Sequence, residues 1–172
     1  MKITLVKPQP RHKEMVLDYK REFIAAGDHL HGTAMLGDYD TFEEWYTDLV
    51  KNSSEETVAE GWVPATTLLA VDERGKLAGM IDIRHRLNNY LLAWGGHIGY
   101  SVRPSLRRQG CAAQMLTQAK EVCRGLGMDR VLVTCDKTNT ASAATILKCG
   151  GVLENEATDT DGVIHQRYWI EL

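Results

Sequence analysis

The 172-residue chain has no basic excess, no C-x-x-C pair, no long apolar run and no standard nucleotide loop. Its formal net charge is −3, with 20 Lys and Arg against 23 Asp and Glu. Nucleic-acid surfaces carry a clear positive surplus, so no nucleic-acid partner is expected. The acid is concentrated early. Residues 1–60 hold seven basic and twelve acidic side chains, whereas residues 61–172 hold thirteen and eleven. The four cysteines are Cys111, Cys123, Cys135 and Cys149, and most fall within apolar helix or strand patterns. They are expected as buried free thiols rather than disulfides or zinc ligands, which implies a cytoplasmic setting. No stretch approaches the ~20 apolar residues of a membrane span. Met1 to Pro8 is too short and too charged for a signal peptide and reads as an opening strand. No membrane partner is expected. Neither G-x-x-x-x-G-K-[ST] nor an early G-x-G-x-x-G is present, which argues against a nucleotide-binding regulator. His29-x-His31 has no third ligand near it, so no metal is expected.

Hydrophobic content of 44% and charged content of 25% are those of an ordinary globular protein, and the length suits one domain over residues 1–172. Residues 2–7 alternate as a strand. Met15, Leu17, Tyr19, Phe23 and Ile24 mark a helix over about 11–26, closed by Gly27. Thr41 followed by Glu44 predicts a capping box on a second helix. Thr66–Val71 and Lys76–Arg86 form a hairpin around Asp72–Gly75. Asn88 and Asn89 tip a further turn, after which a fourth strand runs to Val102. A long helix covers 110–125, Val131–Thr134 is a buried strand, Asn139–Cys149 a helix, and Val152–Thr158 and Val163–Leu172 a closing hairpin. The order is β-α-α-β-β-β-α-β-α-β-β. It predicts an α/β domain with a mixed, mainly antiparallel central sheet flanked by helices, with no internal repeat or flexible linker.

The most informative run is His97 to Ala112. Ile98, Tyr100 and Val102 alternate as a strand, Pro104 ends the pairing, and apolar residues at 112, 115, 116, 119, 122, 123 and 126 make a helical stripe. A glycine and small residues therefore open a helix beside Arg107 and Arg108. Free N–H groups, bare backbone and the helix dipole together make a site for a phosphate or pyrophosphate over Arg108–Ala113.

The spacing Arg107-x-x-Gly110-x-Ala112 resembles the R/Q-x-x-G-x-G/A signature of the GNAT acyltransferases. Gly99–Pro104 is similar to their fourth strand and its exit, and Asn139-x-x-Ser142 followed by Gly150-Gly151 resembles their second motif. These motifs cover about residues 66–172. The resemblance implies the GNAT fold and direct transfer of an acetyl group from acetyl-coenzyme A to a primary amine of a small molecule or protein. It implies that Arg107, Arg108, Gln109, Gly110, Cys111, Ala112 and Ala113 hold the diphosphate. It places the backbone of Tyr100, Ser101 and Val102 along the pantetheine arm, with the Val102 N–H facing the developing oxyanion. Asn139 and Ser142 would hold the arm from the opposite side, though Asn139 serves equally well as a helix N-cap.

Two departures from the family bear on proton transfer. Relatives carry a tyrosine seven residues after the motif asparagine, where this chain has Ile146. Where some carry a glutamate base, this chain has Gly95-Gly96-His97. His97 is therefore the nearest candidate proton relay, with packing as its alternative role and Asp82 and Tyr168 as weaker candidates. The acceptor is expected to meet an acidic, aromatic mouth drawn from Asp28, His29, His31, Asp38, Asp40, Glu43, Glu44 and Asp48, with Tyr39, Phe42, Trp45 and Tyr46. A second reading is a non-catalytic acyl-coenzyme A sensor that keeps the cradle. The terminal hairpin offers an edge for a possible homodimer.

Overall fold

The computed structural model describes residues 1–172. The element order is the expected one: β1 (Ile3–Val6), α1 (Lys13–Ala25), α2 (Phe42–Lys51), β2 (Ala65–Asp72), β3 (Leu77–Arg84), β4 (Ile98–Val102), α3 (Cys111–Gly125), β5 (Arg130–Asp136), α4 (Thr140–Lys148), β6 (Val152–Thr158) and β7 (Ile164–Glu171). The capping box forms at α2, with Thr41 Oγ1 accepting from the Glu44 N–H and the Glu44 carboxylate accepting from the Thr41 N–H, each at 3.2 Å.

The seven strands make one sheet in the order β1-β2-β3-β4-β5-β7-β6. All neighbours are antiparallel except β4 and β5, which are parallel and paired only at Ile98 and Val133. Beyond that pair the two strands part. The terminal hairpin does not extend the sheet in chain order, because β7 lies between β5 and β6.

Helices cover both faces, so β2 and β3 read as nearly continuous apolar runs. On one face Cys111, Met115, Leu116, Ala119 and Cys123 of α3 pack on Leu68, Ala70, Ala78, Ile81 and Ile83. On the other, Val16, Tyr19 and Phe23 of α1 and Phe42 and Trp45 of α2 pack on Leu69, Leu77 and Met80. A bulge between Ala70 and Val71 of β2 resets the pairing with β3. After it, Met80 faces α1 and α2 while Ile81 and Ile83 face α3. The same alternation turns Asp82 and Arg84 toward the α1–α2 side.

The fourth strand starts later than expected. The Leu91 N–H donates to Asn88 Oδ1 (2.9 Å), so Asn88 opens a helical turn instead of tipping a hairpin. That wide turn, Leu91–Gly95, closes through the Gly96 N–H to the Leu91 carbonyl (2.7 Å). All four cysteines are free, and Cys111, Cys123 and Cys135 are buried. No helix is long and apolar enough to cross a membrane.

Candidate active site

The parting of β4 from β5 leaves a cleft. On β4, residues 97 and 103 bond β3 through Arg84 and Ala78, so the alternating register directs Gly99 and Ser101 toward β3 as well. Tyr100 and Val102 then direct their N–H groups away from β3, into the gap that β5 has vacated. The Val102 carbonyl on that side accepts from Arg107 Nε (3.1 Å). Ser101 departs from its expected place on the arm, since its backbone faces Met80. Its buried hydroxyl donates to the His31 carbonyl (2.5 Å) and meets the Tyr19 hydroxyl (3.0 Å). Ser101 therefore ties the α1–α2 loop to β4.

The cleft leads to the start of α3. Gly110 is the N-cap, with φ 78° and no side-chain cap. Gln114 donates to the Gly110 carbonyl (3.2 Å), so the preceding amides of Cys111, Ala112 and Ala113 have no acceptor within the helix. A Cβ built on Gly110 meets no atom within 4 Å, so the space before these amides is open. Cys111 turns its thiol toward the Leu106 carbonyl and into the core. Arg108 and Gln109 are exposed, and Arg108 takes φ 59°, in the left-handed region. Arg107 departs from expectation, because its guanidinium pairs with Asp28 and lies over the Phe23 ring. That pairing holds the Asp28 carboxyl below its usual range. Arg103 is also structural. It is buried and bonds the Leu77 carbonyl, Asp18 and Glu22.

Across the cleft Asn139 caps α4, its Oδ1 accepting from the Ser142 N–H (3.1 Å). The Ser142 hydroxyl meets the Tyr100 hydroxyl at 2.8 Å, so the two walls touch through this pair. Burial pushes the Tyr100 phenol up to about 12, leaving it protonated at neutral pH. Ile146 is fully buried in the core cluster of the α3 face.

His97 sits at the fork. Its N–H donates to the Leu132 carbonyl (2.7 Å), and its ring Nδ1 accepts the Leu132 N–H (2.9 Å). Burial, and then the nearby Arg84 charge, push it down to about 4. A relay through His97 is left with Nε2 alone, and in the neutral tautomer that nitrogen carries the proton. His97 thus pins β4 to β5 where the strands separate.

A cavity of about 850 Å³ lies on the α1–α2 face. Thr67, Asp82 and Arg84 form part of its floor, and the α1–α2 loop, α2, the 61–63 segment and the Asn88–Leu91 turn enclose it. Asp82 accepts from Thr67 Oγ1 (2.8 Å) and pairs with Arg84 Nε (2.9 Å). Gly32 rests on β4 so closely that a Cβ there would fall 2.1 Å from the Gly99 carbonyl oxygen. Ala34 and Met35 follow with positive φ, so the loop is strained where it crosses the cavity. Asp28, His29, His31, Asp38, Tyr39 and Asp48 reach the cavity as expected, whereas Asp40 lies outside it. Glu43 and Glu44 do not: Glu43 pairs with Lys13, and Glu44 is committed to the cap of α2. Phe42 and Trp45 are in the core.

Residues 27–150 match the model of the Acetyltransferase (GNAT) family. The chain belongs to the GNAT acetyltransferases. It is thus an acetyl-transferring enzyme by family. Its GNAT fold is shared with a GNAT-family acetyltransferase from Streptococcus pneumoniae (20% identity, 99% of this chain and 100% of that one, TM-score 0.66). A GCN5-related N-acetyltransferase from Kribbella flavida is also similar (15% identity, 99% and 98%, TM-score 0.64). So is the microcin C7 self-immunity acetyltransferase MccE, solved with acetyl-CoA and AMP (18% identity, 99% and 93%, TM-score 0.69). No curated protein matches the chain. Within this GNAT fold, Thr33, Trp62, Thr67, Arg84 and Tyr90 line the cavity without having been singled out in the sequence. Thr67 carried no motif. Arg84 lies in an apolar strand, and its polarity there was the available signal.

Proposed function

We propose that this GNAT enzyme transfers acetyl from acetyl-coenzyme A directly to a primary amine held in the α1–α2 cavity. One observation carries the reading: the vacated edge of β4 runs into three uncapped amides at the start of α3. The open space before Gly110 fits a diphosphate, and the free strand edge fits an extended amide-bearing arm. Acetyl-coenzyme A, when bound there, supplies an acetyl thioester.

The chain's own residues divide the remaining work. The amides of Cys111, Ala112 and Ala113 hold negative charge, with Arg108 and Gln109 beside them. Tyr100 and Val102 offer unpaired N–H groups, and that of Val102 faces the oxygen that gains charge. A single such donor is typically worth about 10²–10³ in rate. Tyr100 Oη and Ser142 Oγ hold protons at the cleft. Asn139 keeps its amide nitrogen free toward the arm while its oxygen caps α4. Asp82 takes the amine proton from the cavity floor, since the Nδ1 of His97 is occupied. The free thiols support a cytoplasmic setting, and the exposed β6 supports a homodimer edge.

The fully buried Ile146, in place of a proton donor, favours a second reading, a non-catalytic acyl-coenzyme A sensor. Thiol release from acetyl-coenzyme A across a panel of primary amines separates the two. Amine-dependent release is the expected result. Saturable binding with no release from any amine supports the sensor.

A further inference from the structure

We propose that the acceptor is a small linear amine with a second cationic centre, whose remote charge is held by Asp38 and Asp48. The proposal rests on the acetyl-transfer reading of the same cavity. Four aspartates and one arginine line that cavity. Asp82 is offset by Arg84, and Asp28 by Arg107 from outside the wall. Asp38 and Asp48 have no cationic partner; Asp48 only accepts from the Tyr39 hydroxyl (2.9 Å). Lys20 bonds the Tyr39 carbonyl (2.6 Å) and does not line the cavity. His29 and His31 line the cavity too and, like Asp38, are exposed. The wall therefore has two carboxylates that no ion pair within the chain engages.

The loop beside these carboxylates also carries an unpaired polar group. Thr33 lines the same cavity and is 1% exposed, yet its hydroxyl has no hydrogen-bond partner. A buried hydroxyl left unpaired is costly, and partnering it would take a shift of the positive-φ loop that carries it, the segment that crosses the cavity. The walls suit the rest of such an amine. Trp62 and Tyr90 line the cavity and remain 49% and 67% exposed, which leaves their rings free to cover a methylene chain or a cation. The volume of about 850 Å³ fits a whole small molecule rather than an amine group alone.

The test uses the full chain with acetyl-coenzyme A, following thiol release. The acceptors are 1,4-diaminobutane, butylamine of equal length with one charge, and a short peptide with a free N-terminus. The diamine is expected to have a KM about twofold to thirtyfold below that of butylamine, the scale of two partly exposed charge contacts. Asp38→Asn and Asp48→Asn should each bring the two KM values together. Asp40→Asn, an exposed acid outside the cavity, should leave their ratio unchanged. Added salt should raise the diamine KM more than the butylamine KM, a readout that needs no variant. Equal KM values for the two amines, or a preference for the peptide, overturn the proposal and leave acetyl transfer standing. If no amine supports release, acetyl transfer fails and the acceptor proposal falls with it.

Discussion

At the scale of single residues, Gly110 and His97 do different work at neighbouring points of the cleft. Gly110 holds φ 78° with open space beyond it. Gly110→Ala is expected to cost about 1 kcal/mol of stability, because a Cβ is strained in the left-handed region. Urea unfolding of the two proteins measures this. His97 is kept neutral well below its ordinary range, at about 4. Its folded pKa is depressed, so the unfolded chain binds the proton more readily. Stability is therefore fully present above about pH 6.5 and falls as pH drops toward 4, by up to roughly 3 kcal/mol from this residue. His97→Asn retains an acceptor for the Leu132 N–H but does not titrate. It should flatten the stability profile between pH 6.5 and pH 4, measured by denaturant unfolding at each pH. An unchanged slope would assign the acid sensitivity elsewhere.

At the scale of elements, β4 is the strand on which both halves of the site depend. Its register predicts an alternation in hydrogen exchange. The Ser101 amide, bonded toward β3, should be protected in the free protein, whereas those of Tyr100 and Val102 should exchange fast. Acetyl-coenzyme A should protect the latter two. Ser101 also anchors the acceptor loop through the His31 carbonyl. Ser101→Ala should cost about 1 kcal/mol and raise the amine KM severalfold while leaving acetyl-coenzyme A affinity unchanged, as steady-state kinetics and calorimetry would show. Much of this was legible in the sequence because it is local. The stripe from Met115 to Cys123, the Thr41–Glu44 box and the Asn139 cap depend on residues a few positions apart. Other features depend on contacts far apart in the chain. Nothing near Arg107 says that Asp28 will claim it, and nothing near His97 points to Leu132. Glu43 and Glu44 share a helix with Asp48, yet only Asp48 turns to the cavity. That choice is set by which side of α2 buries Phe42 and Trp45.

At the scale of the whole molecule, the sheet is two antiparallel blocks, β1–β4 and β5–β7–β6, joined by one residue pair and a histidine. The joint is where the cleft opens. The cavity proposed for the acceptor belongs to the first block and draws Asp28, Asp38 and Asp48 from the acidic first 60 residues. The amides proposed to hold the diphosphate belong to α3, in the part of the chain with a slight positive balance. The two sites thus differ in charge as their expected ligands do. The insertion of β7 between β5 and β6 was not readable from the hairpin's own residues, since either strand alternates well enough to pair with β5.

The most direct test is calorimetric titration of acetyl-coenzyme A into the folded chain and into Gly110→Ala. The expected result is one saturable site in the first protein, with affinity at least about tenfold weaker in the second, because the new Cβ occupies the approach to the α3 amides. No binding to the folded chain, or equal affinity for the two proteins, would contradict the account.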